Sequence, residues 1–193
     1  MRMSKLEKHF VNGRGHSDKV ARHAEEMVRF ADPRPGMRYL DVGCGNGAAP
    51  IHLARTLGLE IAGVDVDPAQ ISIARADSSE LESARFLALD ATQLPFDDNA
   101  FDIVSTNMVT HHVPEWQSLL AEMVRVLKPD GYFLYTDLVC PGWIAAIGRA
   151  IVRRHAGFPT VRELEALQLR EGLTPIHQSR STTRYETVCR LAA

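Results

Sequence analysis

Apolar and polar residues alternate with two different periods along this chain, and the changes of period divide it into elements. Between Ser17 and Ala31, residues Val20, Ala24, Met27, Val28 and Ala31 recur at helical spacing. Ser17 is placed to cap that helix, and Asp32-Pro33-Arg34-Pro35-Gly36 ends it. Arg38 to Val42 reads as a short strand, and Ala48 to Leu57 as a helix stopped by Gly58. Glu60 to Val66, EIAGVDV, is a buried strand. Asp67-Pro68 then supplies a cap and a first-turn proline for a helix from about Ala69 to Leu81. Arg85 to Leu89 is the next strand, followed by a polar loop, Asp90 to Ala100, and the strand Phe101 to Thr106. Glu115 to Leu127 is an amphipathic helix, broken by Lys128-Pro129-Asp130-Gly131 before the strand Tyr132 to Val139.

After Val139 the rhythm changes. Pro141 to Arg154 is a small, apolar-rich helical segment, and Thr160-Val161-Arg162-Glu163 is a capping box that opens a helix running to about Glu171. Thr174 to Thr182 and Tyr185 to Leu191 read as two strands joined by a tight polar turn. Strands separated by helices imply right-handed crossovers and a parallel sheet. The expected fold is therefore α/β and doubly wound: a mostly parallel seven-stranded sheet with helices on both faces and a C-terminal antiparallel hairpin. No internal repeat or linker interrupts it, so one domain accounts for residues 1–193. Its parts are an N-terminal helical segment (1–36), a core (37–139), a helical insert (140–171) and the closing hairpin (172–193).

Composition narrows the classes. With 45% hydrophobic and 24% charged residues the chain is ordinary for a globular protein. A net charge of −2 offers no global attraction to nucleic acid or to anionic membrane. The three cysteines, Cys44, Cys140 and Cys189, are dispersed and odd in number, which argues for a reducing compartment and against a disulfide framework or a Cys-rich metal site. The N-terminus lacks an apolar leader segment, and no apolar run approaches the roughly 18 residues of a membrane span. A cytoplasmic location is expected.

The chemistry concentrates in LDVGCGNG, Leu40 to Gly47, where three glycines occupy alternate positions directly after an aspartate. Glycine is costly inside regular structure, so the chain turns tightly here or a ligand lies against bare backbone. The turn falls between the first strand and its helix, where open α/β sheets bind ligands. Its spacing, Gly43-x-Gly45-x-Gly47, differs from the dinucleotide fingerprint G-x-G-x-x-G. Asp65, with Val66 after it, ends the second strand, where a carboxylate can accept both hydroxyls of a ribose. Asp90 ends the third, placed to accept from an exocyclic amine.

LDVGCGNG, Asp65, Asp90-Ala91, LPFDDNAFDIV and EMVRVLKPDGYFLYTD, taken in this order, resemble the class I S-adenosylmethionine-dependent methyltransferases. The resemblance runs motif by motif from about Tyr39 to Leu138, and the final hairpin matches the antiparallel closing strand of that family. It implies a cofactor site for S-adenosyl-L-methionine. In that site the backbone around Gly43 and Gly45 lies along the methionine portion, Asp41 orients its amino group, Asp65 meets the ribose, Asp90 and Ala91 meet the adenine, Asn107 contacts the cofactor by its backbone, and Cys44, Gly47 and Val66 complete the cofactor-binding set. Cys44 reads as a small buried filler rather than a nucleophile.

The resemblance also implies an in-line displacement that asks little of the protein beyond positioning and exclusion of water. His111 and His112 border the expected transfer site, where one of them can serve as a general base or simply tie down the turn before Pro114. Two histidines without a neighbouring Cys or carboxylate cluster make no metal site. Trp143, Ile144 and Ile147 of the insert are placed to roof an apolar acceptor pocket or to cap the sheet, and Lys8 to His16 is a second specificity segment. The absence of an added RNA-binding module favours a small-molecule methyl acceptor over nucleic acid or protein. Two other classes remain: a cofactor-binding regulator without transfer activity, and a nicotinamide-dependent oxidoreductase. The latter calls for G-x-G-x-x-G and a catalytic Tyr/Lys pair, and neither is present.

Overall fold

Alternating side chains on a central strand need an apolar layer on each side, and the first strand of this protein has both. In the computed structural model, which describes residues 14–139 and 159–193, β1 (Arg38–Val42) turns Leu40 and Val42 into one core cluster and Tyr39 into the other. Three helices cover the Tyr39 face: α1 (Arg14–Val28), α2 (Ala48–Leu57) and α3 (Pro68–Asp77) bury Met27, Val28, Ile51, Leu53 and Ile71 there. The opposite face is covered by α4 (Trp116–Arg125) and α5 (Val161–Arg170), through Leu119, Leu120, Met123, Leu164 and Leu167. The sheet is thus doubly wound.

Seven strands make up that sheet: β1, β2 (Glu60–Asp65), β3 (Ala84–Ala88), β4 (Phe101–Asn107), β5 (Leu127–Leu138), β6 (Leu173–Arg180) and β7 (Arg184–Leu191). Their order is β3-β2-β1-β4-β5-β7-β6. The first five run parallel, and β7 lies antiparallel to both β5 and β6. The chain winds outward from β1 to β3 and then crosses back to β4 on the other side of β1. That reversal opens a crevice at the carboxyl ends of β1 and β4, where doubly wound sheets take ligands.

Local chemistry sets most boundaries where the pattern puts them. Asp67 accepts from the Ala69 N–H at 3.0 Å with Pro68 in the first turn of α3. Thr160 and Glu163 form both bonds of the capping box of α5. Some boundaries differ. Ser17 does not cap α1, which already begins by Arg14; its hydroxyl accepts instead from Asn46 Nδ2 at 3.4 Å. That helix tightens to a 3-10 turn at Arg29–Ala31 and stops at Asp32, which is left-handed at φ 45°. Helix α3 ends at Asp77 rather than near Leu81, because Ser78 caps it and the chain turns back through Leu81 N–H to Ser78 O. Strand β5 starts at Leu127, not Tyr132. Lys128-Pro129-Asp130-Gly131 forms a bulge within the strand, with the register shifting between the Phe101–Leu127 and Ile103–Tyr132 pairs.

The helical segment expected at Pro141 to Arg154, with Trp143, Ile144 and Ile147, lies outside the described residues, as does the N-terminal stretch before Arg14. No helix among the described residues is long and apolar enough to cross a membrane.

Candidate functional site

The carboxyl ends of β1 to β4 open on one cavity of about 580 Å³, a size ordinary for small-molecule sites. Asp41, Gly43, Cys44 and Gly45 line it from β1 and the following loop, Asp65 and Val66 from β2, Asp90 and Ala91 after β3, and Asn107 from β4. His111 and His112 line it from the 3-10 turn Thr110–His112. Residues that are distant in sequence therefore meet at one place. Gly47 does not line the cavity.

The glycines of LDVGCGNG serve different ends. Gly47 caps α2 with φ 77°, and a Cβ there would lie 2.8 Å from that of Ala74 and 3.1 Å from the Phe86 ring, so packing of α2 against α3 and β3 excludes a side chain. A Cβ at Gly43 would clash with Val109, which lies across the loop from the β4 side. Gly45 is different: at φ 53° it is left-handed, yet nothing stands within 4 Å of where its Cβ would be. Its bare side faces open space at the cavity, which is the condition for close approach of a ligand.

This loop is held by the end of β2. The N–H groups of Gly43 and Cys44 both donate to Val64 O, at 2.8 and 3.0 Å. Gly45 N–H donates to Asp65 Oδ2 at 2.9 Å, and Asp67 N–H donates to Oδ1 at 2.8 Å. Each carboxylate oxygen retains a lone pair for a further donor. Asp90 forms an Asx turn, its Oδ1 accepting from the Thr92 N–H and hydroxyl at 3.0 and 2.9 Å. Val66 stands 51% exposed beside Asp65, an apolar surface facing the same opening.

Beneath the loop lies a polar chain that local patterning does not show. Tyr39 OH meets Ser105 Oγ at 2.5 Å, and Ser105 donates to Asp41 Oδ1 at 2.8 Å. Asp41 and Ser105 are direct cross-strand partners of β1 and β4. Burial pushes the Asp41 carboxyl up to about 6, against the Ser105 hydrogen bond and assisted by the negative charge of Asp65. Burial likewise pushes the Cys44 thiol well above its ordinary value, with Asp41 and Asp65 adding to the effect. A thiol held neutral in this way packs as an apolar group and is no nucleophile. The side-chain Oδ1 of Asn107 is buried and accepts no hydrogen bond, a vacant acceptor at the cavity wall.

The turn after β4 is organised by Asp137, the last residue of EMVRVLKPDGYFLYTD, to which the sequence reading gives no role of its own. Asp137 of β5 is fully buried and accepts from the N–H groups of Val109, Thr110 and Leu138, from the Thr110 hydroxyl, and from His111 Nδ1 at 2.5 Å. Burial alone would raise its carboxyl, but the bonds from His111, Thr110 and Leu138 prevail and leave it below its ordinary value. His111 is therefore tied to β5 rather than to the turn before Pro114. An acid at the carboxyl end of one more parallel strand is the available signal, by the same rule that singles out Asp65 and Asp90. The His111 and His112 rings lie 3.9 Å apart, centre to centre. Among the described residues no group of three or more His, Cys, Asp or Glu side chains is arranged to hold a metal ion.

On the far side of the cavity α1 contributes Val20, Ala24 and Met27, with Leu134 and Thr136 of β5 below them. His23 of α1 accepts from Arg184 at 2.9 Å, which fastens this helix to β7.

A family model described as a methyltransferase domain matches residues 40–135. Methyltransferase GfsG of Streptomyces halstedii is 33% identical over 147 residues, 75% of this chain and 53% of that protein. The fatty-acid O-methyltransferase of Mycolicibacterium smegmatis is 36% identical over 161 residues, 77% of this chain and 58% of that protein. The chain thus spans little more than half the length of these curated relatives. In fold, it resembles geranyl diphosphate C-methyltransferase from Streptomyces coelicolor, solved with Mg2+, geranyl diphosphate and S-adenosyl-L-homocysteine. That likeness has a TM-score of 0.74 at 17% identity and covers 93% of this chain and 83% of that one.

Proposed function

Because the chain belongs to the class I S-adenosylmethionine-dependent methyltransferases, we propose that it binds S-adenosyl-L-methionine in the cavity above β1 to β4 and methylates a small-molecule acceptor. One observation carries this reading. Adjacent strand ends present, in order, a buried carboxyl with bare backbone (Asp41, Gly45), a carboxylate with spare lone pairs (Asp65) and a third acid (Asp90), all on one cavity.

The residues present fit the cofactor chemically. The open side of Gly45 accommodates its methionine portion beside Gly43, while Cys44 fills the space below. Asp41, once ionised, pairs with the α-ammonium, and Asn107 Oδ1 is available to a further N–H. Asp65 accepts from the ribose hydroxyls, with Val66 alongside. Asp90 accepts from the adenine amine next to Ala91. When bound, the cofactor supplies a methyl group activated by a sulfonium, so the protein has chiefly to align the acceptor and exclude water. The apolar side chains of α1 keep solvent from that side. The relatives bearing a methyltransferase name, one of which takes a fatty acid as substrate, support a small acceptor, and the modest net charge gives no support to nucleic acid. The two described cysteines, Cys44 and Cys189, are free and buried, in keeping with a cytoplasmic setting.

Calorimetry with S-adenosylmethionine, S-adenosylhomocysteine, NAD and NADP tests the reading. The first two are expected to bind one per chain and the nicotinamide nucleotides not at all. Binding of NAD or NADP without S-adenosylmethionine would overturn it in favour of an oxidoreductase.

A further inference from the structure

Besides the strand-end acids, the cavity has walls of a defined chemistry. Around it lie the apolar side chains of Val20, Ala24, Met27, Val109, Val113 and Leu134. Its ionisable groups on the side of the 3-10 turn are His111, His112 and Glu115. Among the described lining residues the charges are carboxylates, with no lysine or arginine to neutralise an anionic acceptor.

His111 is the group with defined geometry. Its Nδ1 is held 2.5 Å from Oδ1 of Asp137, which is completely buried and anchored by four other N–H and O–H donors of 3.0 Å or less. In the neutral ring an ionised acceptor at Nδ1 keeps the hydrogen on that nitrogen, which leaves Nε2 as the lone-pair site of a ring that lines the cavity. The ring lies two residues after Val109, the side chain that packs over Gly43. Gly43 and Gly45, assigned to the methionine portion, line the same cavity as this ring.

Resting on the reading of the cavity as a methyl-transfer site, we infer that His111 is the general base for an uncharged, largely apolar acceptor methylated on a hydroxyl oxygen, and that Asp137 is its positioning residue. The balance is complete without another reactant. The hydroxyl oxygen forms a bond to the methyl carbon, and the sulfonium–methyl bond breaks with its electron pair left on sulfur. The hydroxyl proton passes to Nε2 of His111 and from there to water. An amine would lose its proton readily after methylation and has less need of such a base. A carboxylate already carries its nucleophilic lone pair and needs no base.

The probes are 4-octylphenol, 4-octylaniline and octanoate, offered with radiolabelled S-adenosylmethionine to the full chain. Calorimetric binding of S-adenosylmethionine is measured first; its failure sinks the functional reading itself, whichever acceptor is offered. Given binding, methyl transfer to the phenol in preference to the other two is expected. Transfer to none of them, or chiefly to octanoate or the aniline, overturns the inference. His111→Asn keeps an amide N–H at the position of Nδ1 and so preserves the bond to Asp137 without a base. It is expected to bind S-adenosylmethionine within about threefold of the parent and to hold KM, while kcat falls at least about a hundredfold. A variant with parental kcat reduces His111 to a structural tie.

A readout independent of turnover completes the test. In histidine-labelled protein, the His111 imidazole is expected as the Nδ1–H tautomer, with its Nε2 resonance moving when 4-octylphenol is added in the presence of S-adenosylhomocysteine. The Nε2–H tautomer, or an unperturbed Nε2, would overturn the assignment.

Discussion

Gly45 N–H and Asp65 Oδ2 are hydrogen-bonded at 2.9 Å, so the acid at the end of β2 holds the loop that follows β1. Its other oxygen holds Asp67 N–H at 2.8 Å, at the start of α3. One carboxylate thus joins three segments before any ligand is considered. Asp65→Ala is expected to weaken S-adenosylmethionine binding by about 1.5–3 kcal/mol, the scale of hydrogen bonds to a charged acceptor. It should also lower the melting temperature, since the loop loses its anchor. Calorimetry and a melt on the same variant read both effects, and parental affinity would remove Asp65 from the cofactor site.

Gly45 and Gly47 are expected to separate binding from packing. Gly45→Val adds a branched side chain on the cavity side and strains a residue at φ 53°, costing about 1–2 kcal/mol of stability but abolishing cofactor binding. Gly47→Ala drives a methyl into Ala74, Ile51 and Phe86, so its loss is expected mainly in stability. Urea unfolding paired with binding titration distinguishes them. If Gly45→Val binds normally, bare backbone there has another reason.

Asp41 supplies a pH dependence with a definite sign. Its folded pKa of about 6 lies above the ordinary value of 3.8, so the folded state holds the proton more tightly. The stability it contributes is complete below about pH 3.8 and is lost as pH rises through about 6. An ammonium ligand needs the ionised form, so S-adenosylmethionine affinity should rise over the same interval. Asp41→Asn should flatten both trends, which melts and titrations across that interval will measure. Persistence of the affinity trend in Asp41→Asn would assign it to another group.

Arg125 fastens the loop after β3. Its guanidinium donates to Leu94 O and Phe96 O at 3.0 and 2.9 Å and pairs with Glu122, which accepts from the Leu94 N–H. Arg125→Ala is expected to cost about 1–3 kcal/mol, read by denaturant unfolding. Arg125→Lys should recover little, because one ammonium cannot span two carbonyls and a carboxylate in a plane. Full recovery by lysine would make charge alone sufficient.

What the sequence disclosed and what it withheld divide along sequence separation. The bounds of β1 and α2, the Asp67-Pro68 start and the Thr160–Glu163 box are settled by neighbouring residues, and the linear pattern contains them. The strand-end acids were legible because a parallel sheet places successive carboxyl ends at one edge. The Tyr39–Ser105–Asp41 chain was not, since it depends on the register of β1 against β4. Nor was the tie from His111 to Asp137, which joins a turn to a strand beyond an intervening helix. The shortfall at α1 has a different origin: Ser17 suits a cap, but helix continues through it and its hydroxyl is engaged by Asn46 instead.

The placement of β7 between β5 and β6 bears on how the molecule is assembled. During synthesis β6 is made before β7, the strand through which it joins the sheet. Until residues 184–191 are available, one edge of β5 waits unpaired and β6 has no ladder to enter. The parallel half can order first, and the far edge is then sewn on by a late strand that engages both neighbours. A chain interrupted before Arg184 would therefore forfeit two strands, together with the Arg184 tether that fastens α1 over the cavity.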